Sequence, residues 1–195
     1  MRSILSALAI YSFGFITAMS VGAKIHLQEC IPESRLQEER TKELKNFIVS
    51  ADKHLNDSEA TRYAVAYLDA EKEFDVNAFL LASIGRIESN FKPARVSEMG
   101  AIGLQQIMPV YWVKEIPFVE KASDLFVPEI NIRASAYIVA HYRTLCGEKV
   151  EQIATCYHGG PRAIHRPMYT TIDYTLKVVK TFSTANVPSV YARSF

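Results

Sequence analysis

The stretch VNAFLLASIGRIES, residues 76–89, is apolar on nearly every side and carries one acidic residue, Glu88, at its end. A carboxylate at a helix C-terminus sits at the negative end of the macrodipole. An apolar surround also withholds the water that would stabilise its charge, and both effects raise its pKa. A carboxyl that keeps its proton near neutral pH is equipped for general acid chemistry. The same residue in solvent would simply mark where a helix stops. Glu88-Ser89 taken alone leaves both readings open.

The elements that would position Glu88 are mostly helical. Residues 76–89 read as a central buried helix, capped by Asp75 or Asn77 through backbone N–H bonds. Gly85 lowers its helix propensity and implies a close packing partner. Arg86 is the helix's exception and is expected to reach solvent or a carboxylate. Before it, residues 33–55 place Leu36, Leu44, Phe47, Ile48, Ala51 and Leu55 on one face, with charges on the other. That amphipathic helix either spaces the domain from a membrane or packs on its outside. Asn56-Asp57-Ser58 opens the next helix, striped with Ala60, Tyr63, Ala64, Tyr67 and Leu68. Pro93, Gly100 and Gly103 punctuate a loop after Glu88, in which a small hairpin over 92–103 has room. Residues 129–145 return to helical spacing through Ile132, Ala136, Ile138 or Val139, and Tyr142, and end at Gly147. A shorter helix, VEQIATCYH, stops at Gly159-Gly160-Pro161, and the last runs over roughly 171–183. The expectation is a mainly α domain, compact and built around one central helix, with at most a small β-hairpin.

Composition narrows the function classes. The chain has 195 residues, 49% of them apolar, enough for a real core, and a net charge of +1. That balance argues against a nucleic-acid partner, which selects a basic face. Arg2 precedes an uncharged run over residues 3–23 that closes on Gly22 and Ala23. It reads as an export signal cut after Ala23, or as a single retained N-terminal membrane anchor of bilayer length. Either way the rest of the chain leaves the cytoplasm, for the periplasm or cell envelope. There it is soluble after cleavage or tethered to the inner membrane. An exported chain can oxidise its three cysteines, Cys30, Cys146 and Cys156. Cys146 with Cys156 is the expected pair, although spacing cannot fix connectivity. Cys156, His158 and His165 lack the compact spacing of metal ligands, so no metal is expected.

The residues around Glu88 carry a resemblance. Glu88-Ser89-x-Phe91 is followed by Ser97, then Gly100-Ala101-x-Gly103-Leu104-x-Gln106-Ile107-Met108-Pro109. Asp124-Leu125, Pro128, Asn131-Ile132 and Tyr137 come next, then Ala154, Tyr157 and Gly160-Pro161. This pattern resembles the catalytic domain of the soluble lytic transglycosylase family, related to goose-type lysozymes, and covers roughly residues 58–183. It implies an α+β lysozyme-like fold and cleavage of the MurNAc–GlcNAc bond of peptidoglycan. Domain bounds follow: 1–23 signal or anchor, 24–57 helical extension, 58–183 catalytic domain, 184–195 tail.

The resemblance also implies roles. Glu88 matches the family's single catalytic acid/base. Ser89 should shape the end of that helix beside the substrate. Ser97 matches a serine near the N-acetyl group, and Gln106 a glutamine facing the glycan. Tyr137, Tyr157 and Tyr174 match cleft tyrosines, with core packing as the alternative for each. Leu104 and Met108 read as core, and Trp112 as a half-buried aromatic ahead of a sugar-stacking one. Departures are His158, itself expected to meet the glycan, where the family has Asn in its Tyr-Asn-x-Gly-Pro segment, Thr170-Thr171 for Glu-Thr, Ser135 for Gly, and Gln105 for Met. They put the cleft's binding detail in doubt and leave Glu88 untouched.

No second carboxylate is obviously placed; Glu98, Asp124, Glu129 and Asp173 read as solvated or capping residues. Substrate assistance by the sugar's N-acetyl oxygen is a known way to work with one. The expected product is then a 1,6-anhydro end, formed without metal or cofactor, with hydrolysis or a non-catalytic wall-binding module as alternatives. Peptidoglycan glycan strands are the expected partner. Family analogy adds an envelope-spanning secretion, conjugation or pilus machine.

Overall fold

The structure, a computed structural model, describes residues 32–52 and 55–185. The N-terminal apolar run, Cys30 and the tail from residue 186 lie outside the described residues. Among those described, no helix is long and apolar enough to cross a membrane.

Among the described residues, seven α-helices follow one another: α1 Glu33–Ala51, α2 Asp57–Phe74, α3 Ala78–Ser89, α4 Pro109–Trp112, α5 Pro128–Cys146, α6 Val150–Gly159 and α7 Tyr169–Thr184. Short 3-10 turns at Ala122–Phe126 and Pro161–Ile164 precede α5 and follow α6. α3 is the hub and touches α1, α2, α5 and α7. Every residue of it from Ala78 to Gly85 is buried, as an all-round apolar helix must be. Asn77 is the residue that caps it, its side chain accepting from the Leu80 N–H at 3.0 Å. Asp75 instead ends α2 in the left-handed region. Asn56 caps α2 by accepting from the Glu59 N–H at 2.8 Å.

α1 packs directly on α2 and α3 and ends at Ala51, four residues short of the expected Leu55. Its Leu44 and Ile48 are fully buried in the same apolar cluster as α2 and α3. Arg86 is partly exposed to solvent and pairs with no carboxylate. It lies over the Phe47 ring of α1, 5.5 Å from its centroid, with Ser50 Oγ at 3.4 Å. A second apolar cluster lies on the other side of α5, where Ala134, Ile138, Tyr142 and Cys146 meet Ile107, Ile116 and Leu125. On the surface, Arg62 with Glu129 and Arg133 with Glu73 join α2 to α5, exposed pairs worth little individually.

The loop after α3 contains no strand. Its pairing is limited to isolated antiparallel bridges between Val96 and Ile102 and between Ile102 and Ile107. Gly100 and Gly103 at φ +85° and +83°, and Gln106 at φ +47°, turn the chain before a ladder can accumulate.

Cys146, the last residue of α5, is disulfide-bonded to Cys156 in α6. The bridge closes a short loop in a chain segment that leads directly to Tyr157 and His158. By loop-closure entropy it contributes about 2–3 kcal/mol. The Cys146→Ser/Cys156→Ser double variant should therefore unfold at clearly lower urea than the oxidised protein. Reductant should erase the difference between them.

Candidate active site

Glu88 lies in the last turn of α3, half-buried, with Tyr174 of α7 against it. The Tyr174 hydroxyl donates to Glu88 Oε1 at 2.8 Å. Burial raises the Glu88 carboxyl from 4.5 to about 7, while the Tyr174 hydrogen bond and the charge of Arg95 pull the other way. The helix C-terminus adds a push in the same direction as burial. Tyr157 and Tyr174 are held neutral well past physiological pH, first by burial and then by the nearby Glu88 charge. Tyr174 can therefore donate to Glu88 whether the carboxyl is protonated or ionised.

The chain reverses sharply after Glu88. Asn90 and Phe91 both take left-handed backbone, at φ 56° and 61°. Asn90 reaches back to the Ala51 carbonyl at 3.0 Å, and Phe91 is fully buried, edge-on to Phe47 and Tyr67. Left-handed non-glycine residues cost on the order of 1 kcal/mol or more each, and they persist only where packing over-determines them. Ser89 is fully enclosed and cannot touch a substrate. Its hydroxyl donates to the Leu104 carbonyl at 2.7 Å and accepts from the Lys92 N–H at 3.0 Å. It ties the loop to the helix end rather than lining the cleft.

The loop itself is held from below by a buried polar network. Asn131 of α5 accepts from the Gln105 N–H at 2.7 Å and donates to the Ile102 and Leu125 carbonyls at 3.0 and 2.9 Å. Gln105 Nε2 donates to the Tyr67 hydroxyl at 2.8 Å and the Leu81 carbonyl at 3.2 Å. Gly85 is what admits this contact, because a Cβ there would stand 2.6 Å from the Tyr67 hydroxyl. The Tyr157 hydroxyl donates to the Gln105 carbonyl at 2.9 Å and lies 3.2 Å from Ser135 Oγ. Gln105 and Ser135, two of the departures from the family pattern, thus meet on one tyrosine. Gln106 turns its amide nitrogen to the Arg95 and Gly103 carbonyls, at 3.1 and 2.9 Å. Ser97 Oγ accepts from the Ala101 N–H at 3.0 Å, which closes the loop's own turn.

Gln106, Met108, Tyr111, Trp112, Tyr157 and His158 share the wall of a cleft of about 440 Å³ that runs on to Gly160. Glu88 itself is not in that wall. It is reached through Tyr174, over whose ring His158 stacks at 4.6 Å. Trp112 is half-buried, edge-on to His141 and Tyr142, and also faces the cleft. Met108 faces the cleft too rather than the core, whereas Leu104 is fully buried. Tyr137 does not join this group. Its ring packs edge-on to Phe74 and Phe118 on a different face of α5, and Tyr142 lines the cleft instead. Tyr67 was expected only in the apolar stripe of its helix, Asn131 only as part of the family pattern and Thr171 only as a departure from it; the structure gives each a polar contact beside the site.

The four other carboxylates weighed as partners of Glu88 stand elsewhere. Asp124 Oδ2 accepts from the Glu120 and Lys121 N–H groups at 3.0 Å each. Glu129 pairs with Arg62, Asp173 with Lys177, and Glu98 is exposed on the loop. The geometry is that of a lone, protonatable carboxyl beside an open cleft, on a helical lysozyme-like frame.

Comparison with known proteins bears on the family and the fold. The model of the transglycosylase SLT domain matches residues 55–174, and the chain belongs to that family. Among curated relatives, the membrane-bound lytic murein transglycosylase C of Edwardsiella ictaluri is 28% identical over 145 residues. That of Yersinia pestis is 26% identical over 144 residues. Each alignment takes in 67% of this chain and 40% of the relative, so the chain spans less than half the length of these proteins. Among solved structures, the 70-kDa soluble lytic transglycosylase of Escherichia coli superposes with a TM-score of 0.56 at 22% identity, over 76% of this chain and 30% of that one. An inactive Glu-to-Gln mutant of the lytic transglycosylase Slt from Pseudomonas aeruginosa gives 0.55 at 23% identity, over 60% of this chain and 23% of that one. At these identities the likeness shows the fold.

Proposed function

We propose that this domain is a peptidoglycan lytic transglycosylase that uses Glu88 as its single acid and base. The observation that carries the reading is the Glu88 carboxyl, raised to about 7 by burial and bonded to the Tyr174 hydroxyl. Family membership and the names of the curated relatives support the substrate. The Pseudomonas Slt, inactive as a Glu-to-Gln mutant, accords with one essential glutamate on this fold.

In this mechanism protonated Glu88 gives its proton to the glycosidic oxygen between MurNAc and GlcNAc. The C1–O bond breaks, and the N-acetyl oxygen of the MurNAc supports the positive charge at C1 in place of a second carboxylate. Glu88, now ionised and stabilised by Tyr174, takes the proton of the same sugar's C6 hydroxyl. O6 attacks C1 and closes a 1,6-anhydro ring, and Glu88 is again protonated. A carboxyl near 7 is balanced between the two roles at neutral pH. Gln106, Tyr157 and the aromatic wall of Tyr111 and Trp112 would hold the glycan, and Ser97 would border its N-acetyl group. Export through the apolar N-terminal run would make the cell envelope the place of action, in keeping with the membrane-bound relatives.

The test is product analysis by mass spectrometry after digestion of purified peptidoglycan. Anhydro-ended muropeptides from the wild type are expected. Reducing ends would make the domain a hydrolase, with water in place of O6. Binding without cleavage would make it a wall-binding module.

A further inference from the structure

His158, where the family pattern has asparagine, touches α7 at two points on one face. Its Nδ1 is hydrogen-bonded to Thr171 Oγ1 at 3.1 Å, and its ring lies over Tyr174, 4.6 Å between centroids and 31° from parallel. Thr171 is buried and one turn before Tyr174, so the imidazole is anchored at one end and covers the phenol with the other. Burial lowers the imidazole pKa from its ordinary value, so the ring is neutral at neutral pH and packs as an aromatic plate. A tyrosine side chain swings on two torsions. The plate limits that swing on the face of the ring it covers.

We propose that His158 is a positioning residue for Glu88, acting through Tyr174 rather than by binding glycan. The inference rests on the reading of Glu88 as the acid and base. The titratable groups around the contact are Tyr174 and Tyr157, both held neutral by burial, then Glu88 and Arg95, with Tyr111 and Tyr142 across the cleft. None of them competes for the face of the Tyr174 ring that His158 covers. The Tyr174 hydrogen bond favours ionised Glu88 and lowers its pKa. A looser Tyr174 therefore raises that pKa and weakens the carboxylate that forms as the glycosidic bond breaks.

Two substitutions separate the contacts. His158→Asn can keep the bond to Thr171 but has no ring to stack. His158→Phe keeps a ring and loses the bond. The expected result is that His158→Asn lowers kcat by about three- to ten-fold with KM nearly unchanged. The basic limb of its pH profile should move to higher pH, as in Tyr174→Phe. His158→Phe should recover most of what His158→Asn loses on both counts. In a Tyr174→Phe background His158→Asn should cost nothing more. A rise in KM without a change in the pH limb would overturn the proposal in favour of glycan binding. Equal damage from His158→Phe and His158→Asn would overturn it in favour of the Thr171 bond. A carbon NMR titration of the Glu88 carboxyl in wild type, His158→Asn and His158→Phe reads the same coupling without turnover. An inactive wild type would sink the enzymatic reading, while this titration would still decide whether His158 acts on Glu88.

Discussion

Glu88→Gln is expected to abolish cleavage while making the protein more stable above pH 7. Loss of the proton donor removes general acid–base catalysis, which supplies about 10²–10⁴-fold. Gln keeps the size of the side chain and an oxygen for the Tyr174 hydroxyl, so the site survives in shape. The stability gain follows from the same pKa. A carboxyl that ionises at an ordinary value of 4.5 in the unfolded chain and at about 7 in the fold binds its proton more tightly when folded. Stability is then untouched below about pH 4.5 and falls as pH rises to 7, where the ionised carboxylate costs at most about 3 kcal/mol at 1.36 kcal/mol per pH unit. The variant never ionises there. Its melting temperature should exceed wild type by about 5–10 °C at pH 8, and match it near pH 4.5. An active variant would remove Glu88 from the mechanism. A stability difference independent of pH would mean that burial does not set this carboxyl's ionisation.

The same trade explains why Glu88 was readable at all. A costly residue at the end of an apolar helix conflicts with the local pattern, and such conflicts mark functional sites. The helices α2, α3 and α5 were legible for the converse reason: their periodicity, the Asn56 cap and the Gly147 stop agree with one another. What was not legible depends on which of two apolar faces meets what. α5 is apolar on both faces, so spacing alone could not tell that Tyr142 lines the cleft while Tyr137 packs on Phe74 and Phe118. Ser89 lies beside Glu88 in sequence but points about 100° away around the helix, into the loop it anchors. Gln105 looked like a departure from a methionine. Its backbone carbonyl, which any residue would supply, is what receives the Tyr157 hydroxyl. No side-chain pattern records a backbone acceptor. The loop's lack of strands, within the expectation of at most a small hairpin, follows from positive φ at Gly100, Gly103 and Gln106, which turns the chain before strands can pair.

Asn131→Ala should cost about 3–5 kcal/mol, among the largest losses open to a single polar residue here. Asn131 is fully buried, and all three of its side-chain hydrogen bonds go to backbone of the cleft loop or the turn before α5. The Ile102 carbonyl keeps a second partner in the Ile107 N–H. The Gln105 N–H has none to fall back on, and a buried unpaired amide costs about 1–3 kcal/mol before the lost packing is added. The node is closed sterically as well. A Cβ at Gly103 would collide with the Asn131 amide and the Leu125 carbonyl oxygen, and its φ of +83° already favours glycine. Asn131→Asp separates hydrogen-bond chemistry from size. It keeps the acceptor for Gln105 but turns a second oxygen toward two carbonyls, so it should be about as damaging at pH 7. Acid should restore it in part, because a protonated Asp can donate to one of them. Activity should fall further than stability alone accounts for. The Gln105 carbonyl orients Tyr157 and the next residue is Gln106, so a loosened loop misplaces the cleft wall while α3 still holds Glu88. Urea unfolding of the three proteins, with circular dichroism at pH 5 and pH 7, reads the stability order. A midpoint for Asn131→Ala within error of wild type would show that the loop is held by its own turns and by Ser89, and not from α5.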